Sequence, residues 1–587
     1  MSRFLLQHLL IVLFISSASG CFIKNNDIVP PHSAPETLVE PSSLPSYLFW
    51  GNYSGINYLT VSRNQHIPQY CGGCWSFAST SALADRFKIL RNATWPDYNI
   101  APQVPISCDY LSFGCNGGDP MTVYKYIYDR GITDETCATY QAKDRDNGLE
   151  CTRLSRCKTC YSNGKCDIPD THLVYNVTTY GSAIGETQML NALQNGPIAC
   201  AMDATNEFEN YTGGIFIPTD HEVVTNHVVE LVGYGVENNT KYWIGRNSWG
   251  TYWGEKGLFR IIRGKDALAI EEYCAWATPD PVVKQVNKTL VEEKTVAELK
   301  ILEAFERPEK AGCRVEKSEL KLQAEANGYV IEENAAPALP AAWDWRNMSG
   351  LNYMSWTRNM NNPQFCGACW AHAATSCIAD RINILRNDTV AQISISPQVI
   401  LNCNAGGNCT SGDPIGVYKF AQQYGLPDDT CQQYLAEPVE NATCTARQVC
   451  ETCIPPPPKE GQTSNCSAIT NPPLWYVGSY GFLAGVTKMK QEIYTNGPIS
   501  CGIYYSKSFE NYKGGIFSEL TMTTKVNYEV ALVGWGVNKA GTEYWIGRNS
   551  QGTMWGESGF FRIQMYRDNL GIETDCSWAI PNITRTN

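Results

Sequence analysis

Small and apolar residues recur at helix-compatible spacing from Ser76 through Ala78, Ala82, Leu83 and Ala84 to Phe87, which predicts a helix with Cys74 at the point where loop becomes helix. A different pattern appears at Val228-Val229-Glu230-Leu231-Val232, a nearly continuous apolar run closing on Gly233-Tyr234-Gly235. That run predicts a buried strand ending in a turn, and a second strand follows over Tyr242-Trp243-Ile244. Farther on, Leu290, Val296, Leu299, Leu302 and Phe305 fall close to helical spacing within a stretch rich in Glu, Lys and Ala. There an amphipathic helix and a solvated charged spacer fit the pattern equally well. At the start, Arg3, the largely apolar residues 4–15 and small Ala18-Ser19-Gly20 have the order of a secretory signal peptide. The apolar stretch is too short to span a bilayer, and no other approaches the roughly 18 residues that a membrane helix needs.

The patterns occur twice. Asp85-Arg86 recurs as Asp380-Arg381, Asn195-Gly196-Pro197-Ile198 as Asn496-Gly497-Pro498-Ile499, and Tyr242-Trp243-Ile244-Gly245-Arg246-Asn247-Ser248 as Tyr544-Trp545-Ile546-Gly547-Arg548-Asn549-Ser550. Cysteines at 71, 108, 115, 137, 151, 157, 160, 166, 200 and 274 map onto 366, 403, 409, 431, 444, 450, 453, 466, 501 and 576. This period is far too long for a solenoid and denotes a duplicated domain. The expected division is a signal peptide (1–20), a short propeptide (21–43), a first domain (44–280), a linker with a second leader-like segment (281–338) and a second domain (339–587). Cys21 and Cys313 stand at matching places in the two leaders.

Composition narrows the compartment. Twenty-five cysteines against 7 histidines point to an oxidising environment where thiols pair. Asn-X-Ser/Thr sites such as Asn52 and Asn92 fit glycosylation there. The destination is the secretory pathway, ending in a lysosome or outside the cell. A net charge of −12 argues against nucleic acid as a partner, because phosphate neutralisation needs clustered Lys and Arg. The 16 Trp and 32 Tyr exclude a disordered chain.

Candidate chemistry begins at Cys71-Gly72-Gly73-Cys74-Trp75, where a loop becomes a helix. At a helix start the unpaired amides and the macrodipole favour thiolate over thiol, so Cys74 is a candidate nucleophile. A thiolate mechanism needs a base from elsewhere in the fold, and His66, His172, His221 and His227 are the candidates in this domain. His227 opens the first predicted strand, and Asn247 follows the second, placed to accept an imidazole N–H and fix the ring. Cys157-Lys158-Thr159-Cys160 and Cys450-Glu451-Thr452-Cys453 have metal-ligand spacing, but without a neighbouring histidine in an oxidising compartment they read as disulfides. No metal or cofactor is expected.

With Cys71-Gly72-Gly73-Cys74-Trp75, Asn226-His227 and Asn247-Ser248-Trp249-Gly250, the chain resembles the papain family of cysteine proteases over nearly its full length. Gly73 departs from the Ser or Ala usual there. The segment Arg63-Asn64-Gln65-His66-Ile67-Pro68-Gln69-Tyr70-Cys71, the dense cysteine cluster and the short leader are most similar to the cathepsin Z branch. The resemblance implies an α+β fold of two tandem two-lobed domains, each with a helical lobe and a β-barrel-like lobe, rich in disulfides. Cys71 would pair with Cys115 and Cys200 with Cys274. It implies a catalytic set of Cys74, His227, Asn247 and Gln65, with Gln65 as oxyanion donor and Gln69 its competitor. Substrate binding would fall to His66, holding a C-terminal carboxylate, and to Gly117, Gly118 and Trp249. Ile67-Pro68 would close the cleft. The implied activity is a carboxypeptidase removing single C-terminal residues from peptides or proteins; endopeptidase and non-enzymatic scaffold readings are the alternatives. The leader would cap Cys74 through Cys21.

The second copy keeps Cys369 and Asn549 but has Tyr528 in place of the base. Met360, Asn361 and Gln551 replace Gln65, His66 and Trp249. Four losses in one site point to an inactive copy. His372 lies a turn along the helix that starts at Cys369, away from the facing lobe.

Overall fold

A computed structural model describes residues 20–28, 31, 38–219, 223–288, 312–315, 339–387, 392–437, 444–455, 465–519, 525–566 and 569–584. The signal segment, the 290–305 stretch read as either an amphipathic helix or a charged spacer, and His221 lie outside the described residues. In the first copy a helix runs from Cys74 to Leu90, with Cys74 at its start as expected. It is buried from Cys74 to Lys88, and its short Ser and Ala side chains let the neighbouring sheet approach closely. The helix Pro120–Arg130 packs beside it, capped by the Asp119 carboxylate, which accepts from Met121 N.

Opposite lies an eight-stranded mixed sheet. Its order is Val177–Ala183, Cys274–Pro279, Ile198–Met202, His227–Glu237, Thr240–Arg246, Leu258–Ile262 and Ile215–Phe216, with Leu48–Phe49 paired to the His227 strand. The His227 strand is buried over its first nine residues, hence its unbroken apolar reading. The second copy repeats the plan, with Cys369–Leu385 as the helix and Tyr528–Val537 as the central strand.

The repeated sequence motifs meet in space. Arg86 donates to the carbonyls of Gly196 and Pro197, and Arg246 pairs with Asp85 at 2.8 Å and Glu230 at 2.6 Å. Arg381 likewise reaches Gly497 and Pro498, and Arg548 pairs with Asp380. The first network pins the helix that begins at Cys74 to the strands leading from His227 and into Asn247, and the second pins the helix that begins at Cys369 to the strand leading into Asn549. Buried charges persist only when matched in this way.

Five disulfides join equivalent cysteines in each copy: 71–115, 108–151, 137–157, 160–166 and 200–274, then 366–409, 403–444, 431–450, 453–466 and 501–576. Two more tie the leaders, Cys21–Cys74 and Cys313–Cys369, leaving Cys377 free and buried. Lys284–Asn287, within the stretch read as linker, pairs antiparallel with Thr171–Val174 and so packs on the first domain. Among the described residues no helix is long and apolar enough to cross a membrane.

Candidate active site

The helix start, the central strand and the loop after the next strand bring Cys74, His227 and Asn247 together. His227 Nε2 lies 2.9 Å from Asn247 Oδ1, and Nδ1 faces the disulfide, 3.3 Å from Cys21 Sγ. The Trp249 ring covers the imidazole at 4.7 Å between centroids and is itself backed by Trp253. Burial pushes the His227 pKa down to about 4, against the upward pull of the Asn247 bond. In this capped form the imidazole is neutral at pH 7, with its Nδ1 turned to Cys21 Sγ, the sulfur bonded to Cys74.

Gln65 is buried within the same shell. Its Nε2 donates to Cys71 O, and its Oε1 accepts from Ser248 Oγ, next to Asn247. Gln69 turns the other way and donates to Ala142 O. The geometry therefore separates two glutamines that the sequence leaves in competition. His66 is partly buried, stacked between Tyr70 and Trp249, with its pKa lowered to about 3 by burial and then by the nearby His227. A carboxylate reaching it would meet a neutral N–H donor until the approaching charge raises that pKa. His172 sits apart, on the Thr171–Val174 strand.

The leader fills the cleft. Cys21 N and Phe22 N donate to Asn226 O on one side, while Ile23 N donates to Gly118 O and Gly118 N to Cys21 O on the other. A side chain at Gly118 would strike Trp75 and Ser112, and one at Gly117 would crowd Ile23. Both glycines thus line the groove because backbone must approach closely there.

In the second copy Tyr528 OH donates to Asn549 Oδ1 at 2.8 Å. Burial pushes this phenol's pKa up, so it stays protonated, with its hydrogen committed to the asparagine. Gln551 Nε2 donates to Tyr528 OH, and Ser550 Oγ faces Met360 Sδ where Ser248 holds Gln65 in the first copy. His372 is buried in its helix against Tyr434. The second leader is fixed differently from the first. Arg314 reaches Glu529 at 2.8 Å and Asp575 at 2.9 Å, all three buried, and Gly502 leaves the room its guanidinium needs. The first copy has Phe22, Val228, Tyr273 and Ala201 at those places, and Phe22 simply rests on the Tyr273 ring. A position-by-position comparison of the two copies carries this signal, which motif reading alone passes over.

Comparison with known proteins agrees with the geometry. Residues 44–278 and 339–580 both match the model of the papain family cysteine protease. Cathepsin Z of Onchocerca volvulus is 43% identical over 267 residues, covering 44% of this chain and 82% of that protein. Cathepsin B-like cysteine proteinase 6 of Caenorhabditis elegans is 30% identical over 239 residues, covering 38% of this chain and 62% of that protein. Among solved structures, the bromelain protease of Ananas comosus, in complex with the E64 inhibitor, is 28% identical with a TM-score of 0.32, covering 40% of this chain and 99% of its own. The cathepsin relatives and the many disulfides fit a secretory or lysosomal protein. With the family matched in both copies, over most of its length, the chain belongs to the papain family of cysteine proteases.

Proposed function

We propose that the protein is a cysteine carboxypeptidase made as a disulfide-capped zymogen, with the first copy active and the second inactive. The observation that carries this reading is the pairing of His227 with the Cys21–Cys74 disulfide and Asn247, set against Tyr528 at the same place in the second copy. A thiol reductant would supply two electrons and two protons to the Cys21–Cys74 bond, freeing both thiols and withdrawing the leader from Asn226 and Gly118. Cys74 then transfers its proton to His227 Nδ1 and attacks the scissile carbonyl carbon. The developing oxyanion takes hydrogen bonds from Cys74 N and Gln65 Nε2. His227 returns the proton to the leaving amine, and water, deprotonated by the same imidazole, releases the acyl group. Resemblance to cathepsin Z and the His66-Ile67-Pro68 segment support cleavage next to a free C-terminus, with His66 donating to the terminal carboxylate. Gly117, Gly118 and Trp249 line the remaining groove.

The test uses the reduced full chain with a peptide bearing either a free C-terminus or its amide. Cys74→Ala should abolish hydrolysis while Cys369→Ala leaves it intact, and the free acid should be cleaved faster. Activity surviving in Cys74→Ala, or equal rates on acid and amide, would refute the corresponding half.

A further inference from the structure

The two copies grip one another through equivalent residues. Thr251 donates through Oγ1 to Asp428 Oδ2 at 2.6 Å and through N to Thr430 Oγ1 at 3.0 Å. Its counterpart Thr553 donates through Oγ1 to Asp134 Oδ2 at 2.6 Å and through N to Thr136 Oγ1 at 3.1 Å. Asn64 Nδ2 donates to Thr430 O at 2.8 Å, and Asn359 Nδ2 to Thr136 O at 3.0 Å. Such exchange of identical contacts is the mark of a two-fold interface, here built within one chain.

This interface falls on the segment that carries Gln65 and His66. Asn64, held by Thr430 O, accepts from His66 N through its Oδ1 and donates also to Tyr252 OH. Pro68 O rests 3.7 Å from Cys453 Sγ and 3.9 Å from Cys466 Sγ, on the second copy's disulfide hairpin. Thr251 stands two residues beyond Trp249, the ring that covers His227 and stacks on His66. The segment 64–68 therefore has one end tied to the second domain by a hydrogen bond and the other packed on its disulfide.

We propose that the second domain is a positioning element for the first: the side chains of Asp428 and Thr430, acting through Thr251, set His66 and the cleft-closing segment, with the Thr430 main-chain carbonyl holding Asn64 beside them. The reading rests on the carboxypeptidase function proposed above. A hydrogen-bonded side chain fixed within a fraction of an ångström recognises a carboxylate, whereas a loose loop does not. Loss of the clamp raises KM for a substrate with a free C-terminus and moves kcat less, because the anchor is disturbed while the thiolate and imidazole stay in place.

The experiment compares the reduced full chain with its Asp428→Ala, Thr430→Val, Thr430→Ser and Thr553→Val variants on matched free-acid and amide peptides. Asp428→Ala and Thr430→Val should raise KM for the free acid by roughly tenfold and shrink the acid-over-amide preference, the scale of one or two lost hydrogen bonds. Thr430→Ser, which keeps the hydroxyl, should restore both. Thr553→Val removes the hydroxyl bond to Asp134 from the second copy's side of the interface and should leave the preference unchanged. Preference retained in Asp428→Ala and Thr430→Val, or lost equally in Thr553→Val, overturns the clamp while the carboxypeptidase reading stands. A wild-type protein without any preference removes both.

Discussion

The two leaders should differ in how they leave their clefts once the capping disulfides are reduced, and Arg314→Met is the change that exposes this. Arg314 bridges Glu529 and Asp575, and all three are nearly inaccessible to water. Removing the guanidinium takes the bridging cation from two buried carboxylates, and breaking a buried pair in this way costs about 3–5 kcal/mol. Phe22 on Tyr273, the matching contact of the first leader, contributes about 0.5–1.5 kcal/mol beyond the area it buries. The backbone bonds are alike: Cys313 N and Arg314 N donate to Asn527 O just as Cys21 N and Phe22 N donate to Asn226 O. Over the residues described in both leaders, 312–315 and their counterparts 20–23, the ion pairs are the distinguishing contribution.

At about 1.4 kcal/mol per factor of ten, their loss should raise the open fraction of the second leader by two to nearly four orders of magnitude. Mild reduction, pulsed alkylation and mass spectrometry of the four thiols read this directly. In the wild type Cys21 and Cys74 should label early while Cys313 and Cys369 stay protected; in Arg314→Met the latter pair should follow quickly. Adding Glu529→Val and Asp575→Tyr, the residues of the first copy, should return the second leader towards the behaviour of the first. Equal labelling of both pairs in the wild type, or no acceleration in Arg314→Met, would refute the argument.

Other consequences are open to measurement. Burial lowers the pKa values of His66 and His227, so their protons bind only at acid pH in the capped protein. Because the unfolded chain protonates first, near pH 6.5, each histidine withdraws stability as pH falls from there towards its folded value. Carbon-detected NMR of labelled histidine should find neither ring titrating between pH 7.5 and 5.5, and a midpoint above 6 for His227 would contradict this. Asn247→Ala removes the upward pull on His227 and frees its ring to turn; kcat/KM of the reduced enzyme should fall at least tenfold, and unchanged kinetics would count against the orienting role. Arg246→Met leaves Asp85 and Glu230 buried without their cation, costing about 3–5 kcal/mol, which calorimetry should register as a fall of roughly 6–20 °C in the first domain's Tm.

What could be read from the sequence follows how far each signal reaches along the chain. Cysteine register identified the duplication because a covalent cross-link constrains both of its ends. It left the pairing within 108–166 open, since several partners lie at comparable separations, and Cα distances of 4.8, 4.2 and 3.9 Å settle it as 108–151, 137–157 and 160–166. Cys74, His227 and Asn247 were legible because each is a distinctive residue type inside a short motif. Gln65 is favoured over Gln69 because His66-Ile67-Pro68 reads as an insertion, but what each side chain bonds depends on Ser248 and Ala142, far away in sequence. The apolar run at Val228 foretold a buried strand, yet nothing in it marked that the equivalent Glu529 would be buried beside Cys369. A carboxylate inside a strand reads as an irregularity until its cation is found, and Arg314 lies 215 positions earlier, in a leader. Asn64 and Thr430 are 366 residues apart, and their bond exists only because two copies of one fold were set face to face. Periodicity and motifs record what a residue's own element demands; they are silent on contacts created by duplication. Those contacts distinguish this chain from a single papain-like domain, and one of the two matching sets falls on the loop that borders the first cleft.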